Sequence, residues 1–108
     1  MLLVVLDNSL VVLSEQILSR AIAERVPTVA TLRQMSLAGA IFTYGFRVQE
    51  AVERTGCYLK KILTGVDPAD PPIEQPTKFH LAVNLKMART LGIEVPAMVL
   101  LQADEVIE

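Results

Sequence analysis

Residues 2–6 form an unbroken apolar run, the pattern of a strand covered on both faces in a parallel sheet. Asp7-Asn8-Ser9 ends it with turn and capping residues. Leu10, Leu13, Ile17 and Ala21 then recur at helical spacing, with Leu18 and Ile22 widening the stripe. This helix should end by Val26, because Pro27 disfavours helical backbone in the residue before it. Thr28–Ala30 is short and β-prone, which predicts a second strand. A short helical turn over 33–37 and a third strand over 39–43 ("GAIFT") follow. Tyr44-Gly45 opens the longest predicted helix, 48–63, with a core stripe of Val48, Val52, Leu59, Ile62 and Leu63 and with Gly65 just past its end. The strand–helix–strand–helix succession is that of a doubly wound, mostly parallel α/β sheet flanked by helices, Rossmann-like in outline.

The pattern then changes. Four of the six prolines fall between Val66 and Pro76, so this stretch cannot be helix and reads as an extended, semi-rigid connector. Beyond it Phe79, Leu81, Val83 and Leu85 point one way and His80, Ala82 and Asn84 the other. Such strict alternation predicts a half-buried strand, at an edge or beside a partly solvated surface. Asn84 suits the N-cap of a helix over 85–91, Gly92 its C-cap, and Pro96 the first turn of a final helix reaching toward Ile107. The organisation expected is one domain in three parts: a lobe core over 1–65, the connector over 66–78, and a late strand with C-terminal helices over 79–108.

Composition narrows the function classes. A chain of 108 residues builds one modest core, and with 52% hydrophobic but only 5% aromatic residues that core is aliphatic. A net charge of −2, with basic residues scattered, leaves no electrostatic footprint for nucleic acid. The single cysteine, Cys57, excludes an internal disulfide and a cysteine-based metal cluster, and its mid-helix position predicts a small buried residue. The apolar N-terminus lacks a basic leader and a small-residue cleavage site, so it does not read as a signal peptide. No stretch approaches the roughly 18 apolar residues of a membrane span.

Ligands of open α/β sheets sit at the carboxyl ends of the strands. Asp7-Asn8-Ser9 offers a carboxylate, an amide and a hydroxyl there; Thr31 and Arg33 follow the second strand; Tyr44-Gly45 follows the third, with Arg47 close by. A small ligand carboxylate would find Arg33 and helix N-terminal N–H groups, and Asp7 would take an amino group or hydroxyl. The same residues have a purely structural use, since Asp7 to Ser9 cap a helix and Tyr44-Gly45 turns the chain; spacing alone leaves both open. His80 has no second histidine near it and reads as an exposed structural residue. No phosphate loop, nucleophile elbow or paired metal-binding histidines occur, so neither catalysis nor a cofactor is expected.

The C-terminal part also carries a resemblance. Gly65, Pro68, Pro72, Ile73, Glu74, Pro76, Thr77 and Lys78, then Asn84-Leu85-Lys86 and Ala88, then Gly92-Ile93, Val95-Pro96 and residues 103–107, closely resemble the C-terminal signature of substrate-binding proteins of ATP-binding-cassette transporters, of the group that includes tryptophan- and tyrosine-type members. Upstream, Asp7-Asn8, Pro27, Arg33, Ala38-Gly39 and Tyr44-Gly45 fit more loosely. The resemblance implies the second lobe of a periplasmic binding protein of the type I-like class, with a hinge-crossing late strand, a small organic solute as ligand and a permease as partner. Family members are about three times as long and close two lobes on the ligand. The family is extracytoplasmic; a complete product with this N-terminus would be cytoplasmic. Around Leu32 and Gln34 amino-acid-binding members tend to be acidic, and after Tyr44-Gly45 many have a small residue and an aspartate where this chain has Phe46 and Arg47. Without a first lobe, Met87, Leu91, Met98 and Leu101 would be exposed, which predicts a homodimer through the C-terminal segment. The competing expectation is a dimerising interaction module that binds no ligand.

Overall fold

A computed structural model of the chain describes residues 1–5 and 7–108. Five strands form one sheet whose order follows the chain: β1 (Leu2–Val4), β2 (Thr28–Ala30), β3 (Phe42–Gly45), β4 (His80–Asn84) and β5 (Glu105–Ile107). All neighbouring pairs are parallel except β3–β4. The expectation of an open, mostly parallel α/β sheet is met. The reversal of strand order that defines a doubly wound sheet is not made among these five strands.

Helices α1 (Asn8–Val12), α2 (Ser14–Ala23) and α3 (Arg33–Ala38) lie on one face. There Val4 and Ala30 of the strands pack with Leu18, Leu32, Met35 and Ala40, and Leu10, Val11 and Ile17 close the periphery. The single helix expected from Leu10 is thus two, broken at Leu13 just after the β-branched pair Val11-Val12, which propagates a helix poorly. The ends of α2, α3, α4 (Val48–Leu63) and α5 (Leu85–Leu91) follow one design. Val26 N–H bonds the Ala21 carbonyl, Ala40 N–H that of Met35, Val66 N–H that of Lys61 and Ile93 N–H that of Ala88, each around a residue with positive φ: Arg25, Gly39, Gly65 and Gly92. The motif at Gly39 uses residues 39 and 40, which is why β3 starts at Phe42 rather than at residue 39.

The other face of the sheet is apolar and open. A row runs across all five strands through Leu3, Val29, Phe42, Val83 and Val106. Val83 is buried, but Leu3 is 61% exposed and Tyr44, Phe79 and Val106 are also exposed. The strand expected to be covered on both faces, β1, is therefore an edge strand covered on one; Leu6 lies outside the described residues.

Helix α4 (Val48–Leu63) has no buried residue. Its predicted stripe forms one coherent face, yet Val48, Val52, Leu59, Ile62 and Leu63 are all exposed, because no other helix or strand packs along it. Cys57, expected buried, is exposed on the same helix. The connector lies against another side, where the Tyr58 hydroxyl donates to the Pro72 carbonyl (2.9 Å) and Arg54 to that of Gln75 (3.3 Å). The radius of gyration, 17.2 Å, exceeds the ~13 Å of a compact chain of this length.

Strand β4 is not at an edge. It sits between β3 and β5 with Ala82 and Val83 fully buried, because the stretch read as the end of a long final helix pairs with it as β5. Helix α6 (Ala97–Gln102) stops where Asp104 turns the chain: its N–H bonds the Leu81 carbonyl and its carboxylate accepts from the Leu81 N–H. At the other end of β4, buried Asn84 caps α5 (Leu85–Leu91) by accepting from Met87 N–H (2.9 Å) and donates to the Ser36 carbonyl of α3 (2.8 Å). Asn84→Ala removes the cap and one of two hydrogen bonds to the Ser36 carbonyl, which keeps that from the Gly39 N–H (3.2 Å), so it should cost about 1–2 kcal/mol in urea unfolding.

Candidate functional site

Because β4 runs antiparallel to β3, Gly45 at the end of β3 pairs with His80 at the start of β4. The carboxyl ends of β2 and β3 therefore meet the amino ends of β4 and β5 along one edge. A cleft of about 560 Å³ opens there, lined among others by Thr31, Arg33, Gly45, Arg47, His80 and Glu105.

Backbone approach shapes its floor. A Cβ on Gly45 would lie 2.0 Å from the Thr31 carbonyl oxygen, so only glycine lets β2 and β3 come this close at their ends. The Thr31 hydroxyl oxygen is buried and has no hydrogen-bond partner among the described residues. A buried hydroxyl without a partner carries a desolvation cost that a ligand or water can relieve.

The walls carry the charge. Arg33, in the first turn of α3, donates from Nε to Glu105 Oε2 (2.6 Å) and from Nη2 to Oε1 (2.5 Å), a two-pronged pair closing 72 residues of chain. The Arg33 hydrogen bond, aided by its charge and those of His80 and Arg47, holds the Glu105 carboxyl below the usual glutamate range; the same contact pushes Arg33 up. Arg47, N-terminal to α4, places Nη2 3.4 Å from His80 Nε2, which accepts from it in the neutral tautomer protonated on Nδ1.

Of the residues singled out in the sequence, the fold brings Thr31, Arg33 and Gly45 to this cleft. Tyr44 points from the end of β3 and stacks on Phe79 (centroids 5.5 Å apart). Asp7 caps α1, accepting from Ser9 N–H at 2.8 Å; Asp7, Asn8 and Ser9 are exposed and do not line the cleft. Sequence reasoning missed Glu105, which it placed in a helix, and took half-buried His80 for an exposed residue. The β-branched Val106-Ile107 after Asp104 was the available sign of a strand there.

Comparison with known proteins decides the family. The model of the ABC transporter substrate-binding protein family matches residues 1–107. The chain belongs to the ABC transporter substrate-binding protein family. A conserved domain protein of Vibrio cholerae superposes with a TM-score of 0.92 at 25% identity, over 96% of this chain and 35% of that one. An ABC domain from Streptococcus pneumoniae in complex with L-Trp superposes with a TM-score of 0.88 at 25% identity, over 94% of this chain and 35% of its own. An uncharacterized protein of Rickettsia prowazekii (strain Madrid E) is 31% identical over 84 residues, 77% of this chain and 28% of the relative. The chain thus spans about a third of the length of its relatives and corresponds to one lobe of a substrate-binding protein. This family is non-enzymatic. No helix among the described residues is long and apolar enough to cross a membrane.

The Glu105 carboxyl gives the site a pH signature. Its folded-state pKa is lowered, so the stabilisation it contributes is present above the unfolded glutamate value of about 4.3. That stabilisation is lost as pH falls through the lower folded value. Thermal melts should show the wild type losing its advantage over Glu105→Gln below about pH 4, with a constant difference at neutral pH.

Proposed function

We propose that this chain supplies one wall of a solute-binding site in an ABC-type uptake system, for a small organic molecule such as an amino acid or an aromatic carboxylate. The observation that carries the reading is the cleft at the strand ends, where two arginines and an unpartnered buried hydroxyl converge. Arg47 offers a fork for one carboxylate, and Thr31 a hydrogen bond to a neighbouring polar atom. Asp7, Asn8 and Ser9 would contribute from the rim on a ligand that extends past the cleft, with Tyr44 as an aromatic flank. The S. pneumoniae relative was solved with L-Trp, which supports an aromatic amino acid as the first probe.

Small-molecule sites enclose ~70–90% of the ligand, and this cleft is open on one side. A second wall completes the site in the working protein, and an ABC permease receives the solute in the extracytoplasmic setting of the family. This chain by itself should bind L-tryptophan or 3-phenylpropionate in the millimolar range, about 4 kcal/mol. In ¹H–¹⁵N correlation spectra the amides of Thr31, Gly45 and Arg47 should shift on titration. Shifts confined to residues away from the cleft would refute the reading.

A second reading, self-association, has its own observation. Met98 and Leu101 of α6 are exposed, Leu101 at 86%, whereas Met87 and Leu91 are half-buried. The stripe of α4 and the open sheet face add further apolar surface, more than scattered exposed side chains account for. A homodimer through the C-terminal segment, exchanged across the connector, would bury α6. Light scattering should give a dimer mass that Leu101→Glu converts to monomer. Dissociation by Leu59→Glu but not by Leu101→Glu would move the interface from α6 to α4.

A further inference from the structure

The solute cleft contains two guanidinium groups in unequal circumstances. Both Glu105 oxygens occupy the Arg33 fork, at 2.6 and 2.5 Å. The second nearby carboxylate, Asp104, is spent on the Leu81 N–H at 2.8 Å. Arg47 has no carboxylate partner among the described residues; its polar contact in the cleft is His80.

Resting on the reading of this cleft as a solute site, the geometry points to Glu105 as a specificity-determining residue: it acts as an internal carboxylate that fills the Arg33 fork, so the cleft accepts ligands with one anionic group and rejects those with two. Arg33 follows β2 and Glu105 opens β5, with β3 and β4 between them in the sheet. The pair therefore joins elements from either side of the Gly45–His80 step. It is not a buried strut, since its side chains are 49% and 27% exposed. The pair is partly open to solvent, so a ligand carboxylate can compete for the Arg33 fork. A ligand carboxylate that does so merely replaces one two-pronged pair with another and gains little. It also leaves Glu105 unpaired beside the incoming anion, and like charges at that distance repel. A single carboxylate avoids this by using Arg47, whose fork holds no carboxylate among the described residues. Discrimination arises here from a repulsive element against the wrong ligand rather than from an added contact to the right one.

A matched pair of probes tests this: 3-phenylpropionate, with one carboxylate, and phenylsuccinate, with two, each titrated into the full chain and followed by amide shifts. The wild type should prefer 3-phenylpropionate. In Glu105→Gln and Glu105→Ala phenylsuccinate should tighten by about tenfold, one charged fork contact, while 3-phenylpropionate changes by less than about threefold. Binding of 3-phenylpropionate to all three proteins with no gain for phenylsuccinate leaves the solute reading intact and overturns the role of Glu105. Absence of cleft shifts with either probe in any of the three overturns both. The Arg33 side-chain Nε–H resonance gives a check on the wild type that needs no variant. Saturation with 3-phenylpropionate should leave it in place, and a large shift would show that the ligand, not Glu105, holds the fork.

Discussion

One buried amide fixes the geometry on which the cleft depends. Asn84 ends β4, caps α5 through its side-chain oxygen, and ties α3 down through its side-chain N–H to Ser36. Its backbone N–H also bonds the Ile41 carbonyl. A buried side chain with both ends committed has one register available, since sliding β4 by a residue would turn Asn84 to the other face. That register pairs Gly45 with His80 and brings Glu105 into the row of Ala82. The cleft at one end of β4 is thus positioned by hydrogen bonds at the other. Gly45 completes the arrangement, because a side chain there would push β2 and β3 apart at the floor of the site.

The same sheet that builds the cleft leaves half of its own surface unused. Helices α1 to α3 cover one face, while the row from Leu3 to Val106 on the other is buried at Val83, half-buried at Val29 and Phe42, and exposed at its two ends. Helix α4 carries an amphipathic pattern strong enough to read from the sequence, and among the described residues no other helix or strand packs along its apolar side. The V. cholerae structure superposes over 96% of this chain, so the two chains share this disposition of elements. Local propensity and the Schellman end at Gly65 are sufficient to define where α4 starts and stops. What its apolar side packs on is a separate question of partner.

This separates what the sequence made legible from what it did not. Period and punctuation located the interior helices and strands well, because caps and glycines act locally: Asn84, Gly65 and Gly92 behave as their positions suggest. Burial was read less well, for a common reason. Apolar patterning states that a surface seeks cover, not that cover is present in the same chain: the stripe of α4, expected inside, is exposed, and the run at β1, expected covered on both faces, buries Val4 and exposes Leu3 and Val5. The error at β4 is the converse. His80, Ala82 and Asn84 looked like a solvated face, but alanine fits under a helix and Asn84 has its partners built in. At the site, Thr31, Arg33 and Gly45 were legible because strand ends in α/β sheets are where ligands sit. Glu105 was not, since its role depends on pairing across 72 residues and on a strand hidden behind a presumed helix.

The charges of the cleft show how a shared fold is given an individual character. Asp104 serves the backbone at Leu81, a structural use that any chain with this strand order can make. Arg33 and Glu105 are different, because neither side chain is needed to hold β2 or β5 in the sheet, whose ladder pairs run through backbone groups. Their pairing neutralises one side of the cleft and leaves Arg47 and His80 on the other. Leu32 and Gln34, which flank Arg33, add no acidic group that would turn it elsewhere. The electrostatic sense of the site is therefore set by two side chains on elements distant in sequence. Exchanging them would change the charge the cleft presents while leaving the sheet, the Asn84 register and the Gly45 contact unaltered.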